Sequence, residues 1–538
     1  MTLRRPIHPL VLVVLSVAVV FSLHNATFWS HWAEIFHGSL WRGLVFAGAF
    51  FLLCCGLVSV FAFNWFLRPL IAILFVLSAL TSFYMDQLGI VIDREMIQNV
   101  VATTITEGKH LITVPFVLWV GLAGLLPAVL VLFIRLSHRG IVTSIWQNLL
   151  AFVLCVVGFV GLIATDLKGN ASVLRTRIDL KSSFQPLAPI VETFRYGAMI
   201  TRSAALEFNE IGLDAVLSEN FKASERPKLT VVVVGETARA QNFSLGGYGR
   251  MTNPELAQKD IAYFDNVSSC GTSTAVSLPC MFSKFDRVNY SYERGKSHEN
   301  VLDIIQRAGY RVEWIDNNTG DKGLAARATY SSVTYANDPE FCSEGECLDG
   351  ILGAEVARRL VDIQSDTVLV LHQIGSHGPS YYLRYPQALE RFQPACRTAD
   401  FSDCTAQEVT NAYDNTIAYT DKVLADLIDL LAMQEGLSTS LIYVSDHGES
   451  LGEKGLYLHG APYFMAPDEQ TKVPMLIWMS DGYQSDTGAN LECLTAGPTA
   501  DYSHANLFHT LLGMTGVETS LRDPELDIFD TCRKTSNG

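Results

Sequence analysis

The sequence predicts two structural classes in one chain: a membrane domain of five α-helices, then an α/β domain whose mostly parallel sheet is covered by helices on both faces. Three observations carry this expectation. Five long apolar runs occupy the first third of the 538 residues. Beyond them, β-branched runs ending on glycine or polar residues alternate with stretches of helical periodicity. Hydrophobic residues make up 49% of the chain and the mean hydropathy is +0.22, high for a chain that lives wholly in water.

The apolar runs span 7–23, 43–67, 69–92, 114–136 and 143–164. Most approach or exceed the ~20 residues that a helix needs to cross the hydrocarbon core. Five in succession, with hardly a charge inside them, argue against a set of buried soluble helices. Arg4 and Arg5 precede the first run, Arg68 separates the second from the third, and Arg135 and Arg139 separate the fourth from the fifth. Those loops share one side of the bilayer, and their cations make it cytoplasmic. Everything after Ala164 is then expected outside the inner membrane, anchored by a multi-pass domain. No small-residue cleavage site follows the first run cleanly, so it is read as a retained helix.

These signals divide the chain into a transmembrane domain at 1–166, a linker with interfacial helices at 167–227, and an outer α/β domain at 228–538. Within the first lies a polar, amphipathic segment, 86–113, on the outer side. There Asn99, Thr103 and Glu107 recur at i, i+4 and i+8, on one helical face. Spacing alone reads them as a solvated stripe.

Cysteine usage follows the same division. Cys54, Cys55 and Cys155 fall inside apolar runs, as buried thiols would. The other eight lie in the outer part, an even number in an oxidising compartment. Close spacing pairs Cys270 with Cys280, Cys342 with Cys347 and Cys396 with Cys404, which leaves Cys493 with Cys532. Zinc–thiolate ligation is the rival, but no C-x-x-C pair occurs. Charge divides too: residues 1–166 carry a net +2 of the chain's −16, leaving −18 on the remainder. So acidic an outer part excludes nucleic acid as a partner.

From Leu229 the strands begin. "KLTVVVVGETARA", "RVEWIDNN", "DTVLVLHQIGSHG" and "TSLIYVSDHGES" each read as a buried parallel strand. Ligands gather at the carboxyl ends of such strands. Those ends carry Glu236; Asn318 and Thr319 with Lys322 close behind; His377; and Asp446, His447 and Glu449, with His459 following. Carboxylates and imidazoles without thiolate suit a divalent metal, zinc first and manganese second. Between Cys270 and Cys280 stand Thr272, Ser273 and Thr274, any of which a metal could convert into a nucleophile. Pattern alone does not separate them.

Taken together, "VVVVGETAR", "SSCGTSTAVSLPCMFS", "IDNNTGDKG", "IGSHGPSYYLRYP", "YDNTIAYTD" and "YVSDHGESLGEKGLYLHGAPY" resemble the lipid A phosphoethanolamine transferases, including the mobile colistin-resistance enzymes. The likeness runs the whole chain. It implies an outer domain of the alkaline-phosphatase/sulfatase fold, with zinc ligands at Glu236, Asp446, His447 and the nucleophile Thr274. It implies a second metal site or substrate contacts at His377 and His459, and contacts to the phosphoethanolamine phosphate at Asn318, Thr319 and Lys322. It also turns Asn99, Thr103 and Glu107 into headgroup-binding residues. The implied partners are phosphatidylethanolamine as donor, lipid A or lipopolysaccharide as acceptor and the membrane lipids, with the protein a monomer. Some relatives place a cysteine pair around the lysine of "NNTGDKG", where this chain has Asp321 and Ala325. Three other readings remain on the sequence: a membrane-anchored sulfatase, whose C/S-x-P-x-R order is absent here; a phosphoglycerol transferase; and a non-catalytic sensor or transporter.

Overall fold

The computed structural model describes residues 6–533 apart from 104, 337, 344 and 497–500, and not the side chains of 105–107, 178 and 496. Two compact units emerge: residues 1–97 with 112–196, and residues 98–111 with 197–538.

In the first unit, four helices are long and apolar enough to cross a membrane: Leu40–Val60, Leu67–Leu88, Val114–Phe133 and Ile141–Ala164. Where a fifth span was expected, the helix Pro9–Leu23 has 15 residues and meets Ala26–Phe36 at a bend of 74°. Asn25 stands at that break. Its side-chain amide donates to the Val20 carbonyl at 2.9 Å, while its oxygen accepts from the Gln185 amide at 2.8 Å. The pair counts as a fifth span only if taken as one broken element. Where helices approach most closely, small residues permit it. A Cβ on Gly56 would stand 2.9 Å from that of Cys155, and one on Gly124 equally close to that of Ala79. Cys54 and Cys55 are buried, and Cys155 is partly so; all three are free thiols. Helices Leu167–Thr176 and Leu187–Ser203 follow the last span.

The second unit is built on an eight-stranded sheet. In chain order its strands are β1 (Lys228–Gly235), β2 (Ala262–Ser268), β3 (Arg311–Asp316), β4 (Thr329–Ser332), β5 (Thr367–His372), β6 (Ser438–Ser445), β7 (Lys472–Met479) and β8 (Tyr502–Ser503). They lie in the order β8-β2-β7-β6-β1-β5-β3-β4. From β6 to β4 every pairing is parallel, whereas β7 runs antiparallel to both neighbours. All eight residues of β1 are buried, as its unbroken apolar run requires with both faces covered.

Register decides what happens at the strand ends. Gly235 of β1 pairs with Ser445 of β6, and Val234 with His372 of β5. The next residues, Glu236 and Asp446, therefore leave the sheet side by side, with the Asp446 amide donating to the Gly235 carbonyl at 2.9 Å. Disulfides join Cys270–Cys280, Cys342–Cys347, Cys396–Cys404 and Cys493–Cys532. The long helix Ala406–Ala432 starts at a capping box of Thr405 and Glu408, and its buried face lies against the sheet unit.

Ile442, at the centre of β6, has no solvent exposure and sits in the main apolar cluster. Ile442→Ala is expected to cost about 2–5 kcal/mol, read as a lower denaturation midpoint of the full-length protein. An unchanged midpoint would remove β6 from the centre of the core.

Candidate active site

Four strand ends and one short helix converge. The helix, Thr274–Met281, begins just after Cys270 and carries Thr274 at its first turn. Thr274 Oγ1 lies 2.9 Å from Glu236 Oε2, 3.2 Å from Oε1 and 3.4 Å from His447 Nε2. The three hydroxyls that the sequence left unresolved now separate. Thr272 spends its hydroxyl on the Ala461 carbonyl at 2.7 Å, and Ser273 caps the helix with its backbone only. Thr274 alone of the three bonds to the acid and histidine cluster.

Glu236, Asp446 and His447 form a group that could hold a metal ion: one ligand atom from each lies within 4.8 Å of the others. All three are at most 1% exposed. His447 Nδ1 sits 3.0 Å from the Gly448 carbonyl, so that nitrogen carries the proton and Nε2 offers a lone pair to the cluster. Nε2 faces Glu236 Oε1 and Asp446 Oδ2, each at 3.4 Å. Among the described residues Asp446 Oδ2 has no hydrogen-bond donor. Burial, with His459 close by, pushes the His447 imidazole down to about 3, which keeps it neutral. Burial and the charge of Glu236 push the Asp446 carboxyl well above its ordinary range. Two buried carboxyl groups and an imidazole nitrogen with its lone pair turned inward fit the donor set of a divalent cation.

Of the remaining predicted residues, Asn318 bonds directly to this group, His459 packs its ring beside His447, and His377 stands next to His459. Asn318, in the turn after β3, donates from Nδ2 to Glu236 Oε2 at 2.7 Å and to the Gln373 carbonyl at 2.8 Å. Its Oδ1 accepts from the Thr319 amide at 2.8 Å. Lys322, with a left-handed φ of 51°, turns its ammonium onto the Thr319 carbonyl and hydroxyl, both at 2.7 Å. The His459 ring centroid is 4.6 Å from that of His447 and 5.3 Å from that of His377. Thr103 returns its hydroxyl to the Asn99 carbonyl at 2.9 Å. The Glu107 side chain lies outside the described residues.

Several supporting residues escaped the sequence reading. His372 closes β5, with Nδ1 2.8 Å from Asp316 Oδ1 and Nε2 3.2 Å from Asn318 Nδ2, so a buried Asp–His pair backs the asparagine that holds Glu236. Glu449 was seen at its strand end but given no role. It accepts from Tyr381 Oη at 2.8 Å and lies 2.9 Å from His459 Nδ1. Burial opposes a charge on His459, yet the Glu449 carboxylate holds its pKa above the ordinary value. Gly375 adopts φ +52° where the loop after β5 crosses Glu236; a Cβ there would stand 2.5 Å from the Glu236 carbonyl oxygen. A histidine ending an apolar strand was the available signal for His372; for Gly375 there was none.

Comparison with known proteins agrees with this geometry. The sulfatase family model matches residues 228–517, the unit that carries the sheet, consistent with an alkaline-phosphatase/sulfatase fold. The model described as "Phosphoethanolamine transferase EptA/EptB" matches residues 50–199. The Escherichia coli K12 phosphoethanolamine transferase EptA is 42% identical over 485 residues, covering 89% of this chain and 88% of the relative. Phosphatidylethanolamine transferase Mcr-1 of Escherichia coli is 34% identical over 499 residues, covering 88% and 90%. The solved integral membrane protein lipooligosaccharide phosphoethanolamine transferase A from Neisseria meningitidis aligns with a TM-score of 0.93 at 34% identity, over 98% of this chain and 99% of that one. Likeness of this depth, over membrane and sheet units alike, makes the chain a member of the phosphoethanolamine transferase family.

Proposed function

We propose that the protein transfers phosphoethanolamine from phosphatidylethanolamine to a phosphate group of lipid A, through a covalent phosphothreonine-type intermediate on Thr274. The observation that carries this is the hydroxyl of Thr274, 2.9 Å from Glu236 and beside His447 and Asp446 in a buried metal-competent cluster. The names of the relatives support both substrates, since Mcr-1 is called a phosphatidylethanolamine transferase and the Neisseria protein acts on lipooligosaccharide. The catalytic unit is periplasmic on an inner-membrane anchor, a reading supported by the arginine-bearing loops and by four disulfides in the outer part.

In the first half-reaction Thr274 Oγ attacks phosphorus, the bond from phosphorus to the glycerol oxygen breaks, and diacylglycerol leaves carrying a proton. In the second, an oxygen of a lipid A phosphate attacks the same phosphorus, the bond to Thr274 breaks, and the hydroxyl regains its proton. When bound, zinc held by Glu236, Asp446, His447 and Thr274 supplies positive charge that favours loss of the threonine proton and offsets charge on the phosphoryl oxygens. Lys322, with Thr319 beside it, adds a cation for the same oxygens, and Asn318 keeps the Glu236 carboxylate turned inward. His459, oriented by Glu449, exchanges the proton with leaving group and acceptor; His377 stands next to it for the substrate or a further zinc. Asn99, Thr103 and Glu107 contact the lipid headgroup. Adding an ethanolamine cation to an anionic lipid weakens binding of polymyxin, colistin and other cationic peptides.

Thr274→Ala is expected to lower transfer by on the order of 10⁴-fold or more while the protein still accumulates in the membrane. Mass spectrometry of lipid A from expressing cells reads this out, and a retained phosphoethanolamine adduct would remove threonine from the reaction. Asn318→Ala removes the donor to Glu236 and is expected to weaken zinc binding about 10–100-fold, measured by chelator competition. Unchanged affinity would leave Asn318 with a substrate role alone.

A further inference from the structure

Helix Thr274–Met281 carries a proline inside it, Pro279. In a regular helix the carbonyl of residue 275 accepts from the amide of residue 279, and proline has no amide hydrogen to give. The carbonyl that loses its regular donor belongs to Ala275, the residue after the nucleophile. A donor arrives from far away in the chain: Gln98 Nε2 stands 3.0 Å from the Ala275 carbonyl oxygen, in a buried contact. Gln98 is 9% exposed. It lies in the helix Arg94–Ala102, and residues 98–111 belong to the same compact unit as the sheet.

The same segment has a second attachment. His110 Nε2 is 3.1 Å from Glu346 Oε1, on the short hairpin closed by Cys342–Cys347. Glu346 Oε2 in turn accepts from Arg384 at 2.9 Å, and Arg384 Nε donates to the His377 carbonyl at 3.0 Å. The front of the segment thus reaches the nucleophile's helix, and its rear reaches the loop of His377. The polar positions that spacing singled out, Asn99 and Thr103, lie between these two attachments.

We propose that Gln98 is a positioning residue for Thr274: it replaces the hydrogen bond that Pro279 withholds from Ala275, and so fixes the first turn of the helix from which the hydroxyl projects. The inference rests on Thr274 being the nucleophile. A loosened first turn moves the hydroxyl relative to the acids, and small misplacements of reacting atoms are costly in rate. The effect therefore falls on the chemical step rather than on lipid binding.

The test is a double-mutant cycle in the full-length, detergent-purified protein, with phosphatidylethanolamine in micelles as donor. Gln98→Ala is expected to lower kcat by on the order of tenfold with KM nearly unchanged. Pro279→Ala gives residue 279 an amide hydrogen, so Ala275 regains an intrahelical partner. In that background Gln98→Ala is expected to change kcat less than about twofold. Full kcat in the Gln98→Ala single variant would overturn the proposal. So would a loss of similar size in both backgrounds, or an effect confined to KM. If Gln98→Ala alone fails to accumulate, the comparison within the Pro279→Ala background decides: near-equal kcat supports the proposal, and a large loss or failure to fold there overturns it. A wild-type protein without transfer activity, or a Thr274→Ala variant that retains it, would instead defeat the functional reading on which the inference stands.

Discussion

The arrangement depends on one electrostatic constraint: two carboxyl groups, an imidazole nitrogen and a hydroxyl share one buried space. Glu236 and Asp446 are forced together because β1 and β6 are parallel neighbours whose last residues, Gly235 and Ser445, are in register. Ionising both acids in that space costs several kcal/mol each unless opposite charge compensates, which is why Asp446 is pushed toward its protonated form. His447 cannot supply that charge, since burial drives its pKa to about 3. A divalent cation can. In the proposed mechanism the same positive charge activates the Thr274 alcohol, so one requirement would meet both the stability of the site and its chemistry.

Around that centre each supporting contact limits how the ligands turn. Asp316, His372 and Asn318 form a buried relay that ends on Glu236. Tyr381 and Glu449 do the same for His459. Ser277, on the helix that carries Thr274, binds the Asp446 carbonyl and lies 3.2 Å from buried His504, which also reaches the Ser445 carbonyl at 2.9 Å. The Cys270–Cys280 bridge encloses the whole hydroxyl run. The segment between Cys270 and Cys280 is therefore tied at its ends by the disulfide, through Ser277 to the Asp446 carbonyl and His504, and at the Ala275 carbonyl by Gln98.

Much of this was legible in the sequence because its signals are local. Parallel strands buried on both faces must be continuous apolar runs, and "VVVVGE" and "LIYVSDHGE" are such runs with the candidate metal-holding residues at their tips. Four membrane spans and the cysteine pairs were legible for the same reason. Long-range relations were not. The first apolar run reads as one span, and nothing in it shows the 74° bend that follows, where Asn25 bonds to Gln185, 160 positions away. Thr272 and Thr274 look alike in a string and differ only because Ala461 claims one hydroxyl and Glu236 the other. Gln98 carries no pattern at all, since its partner is a backbone carbonyl 177 residues on.

The most direct measurement is metal dependence of the first half-reaction in the purified protein. After a chelator strips the metal, donor lipid is expected to leave no phosphoethanolamine on Thr274, and added zinc is expected to restore the adduct in proportion to the ion bound. Full-rate formation of that adduct by protein shown to be free of divalent metal would contradict the central claim.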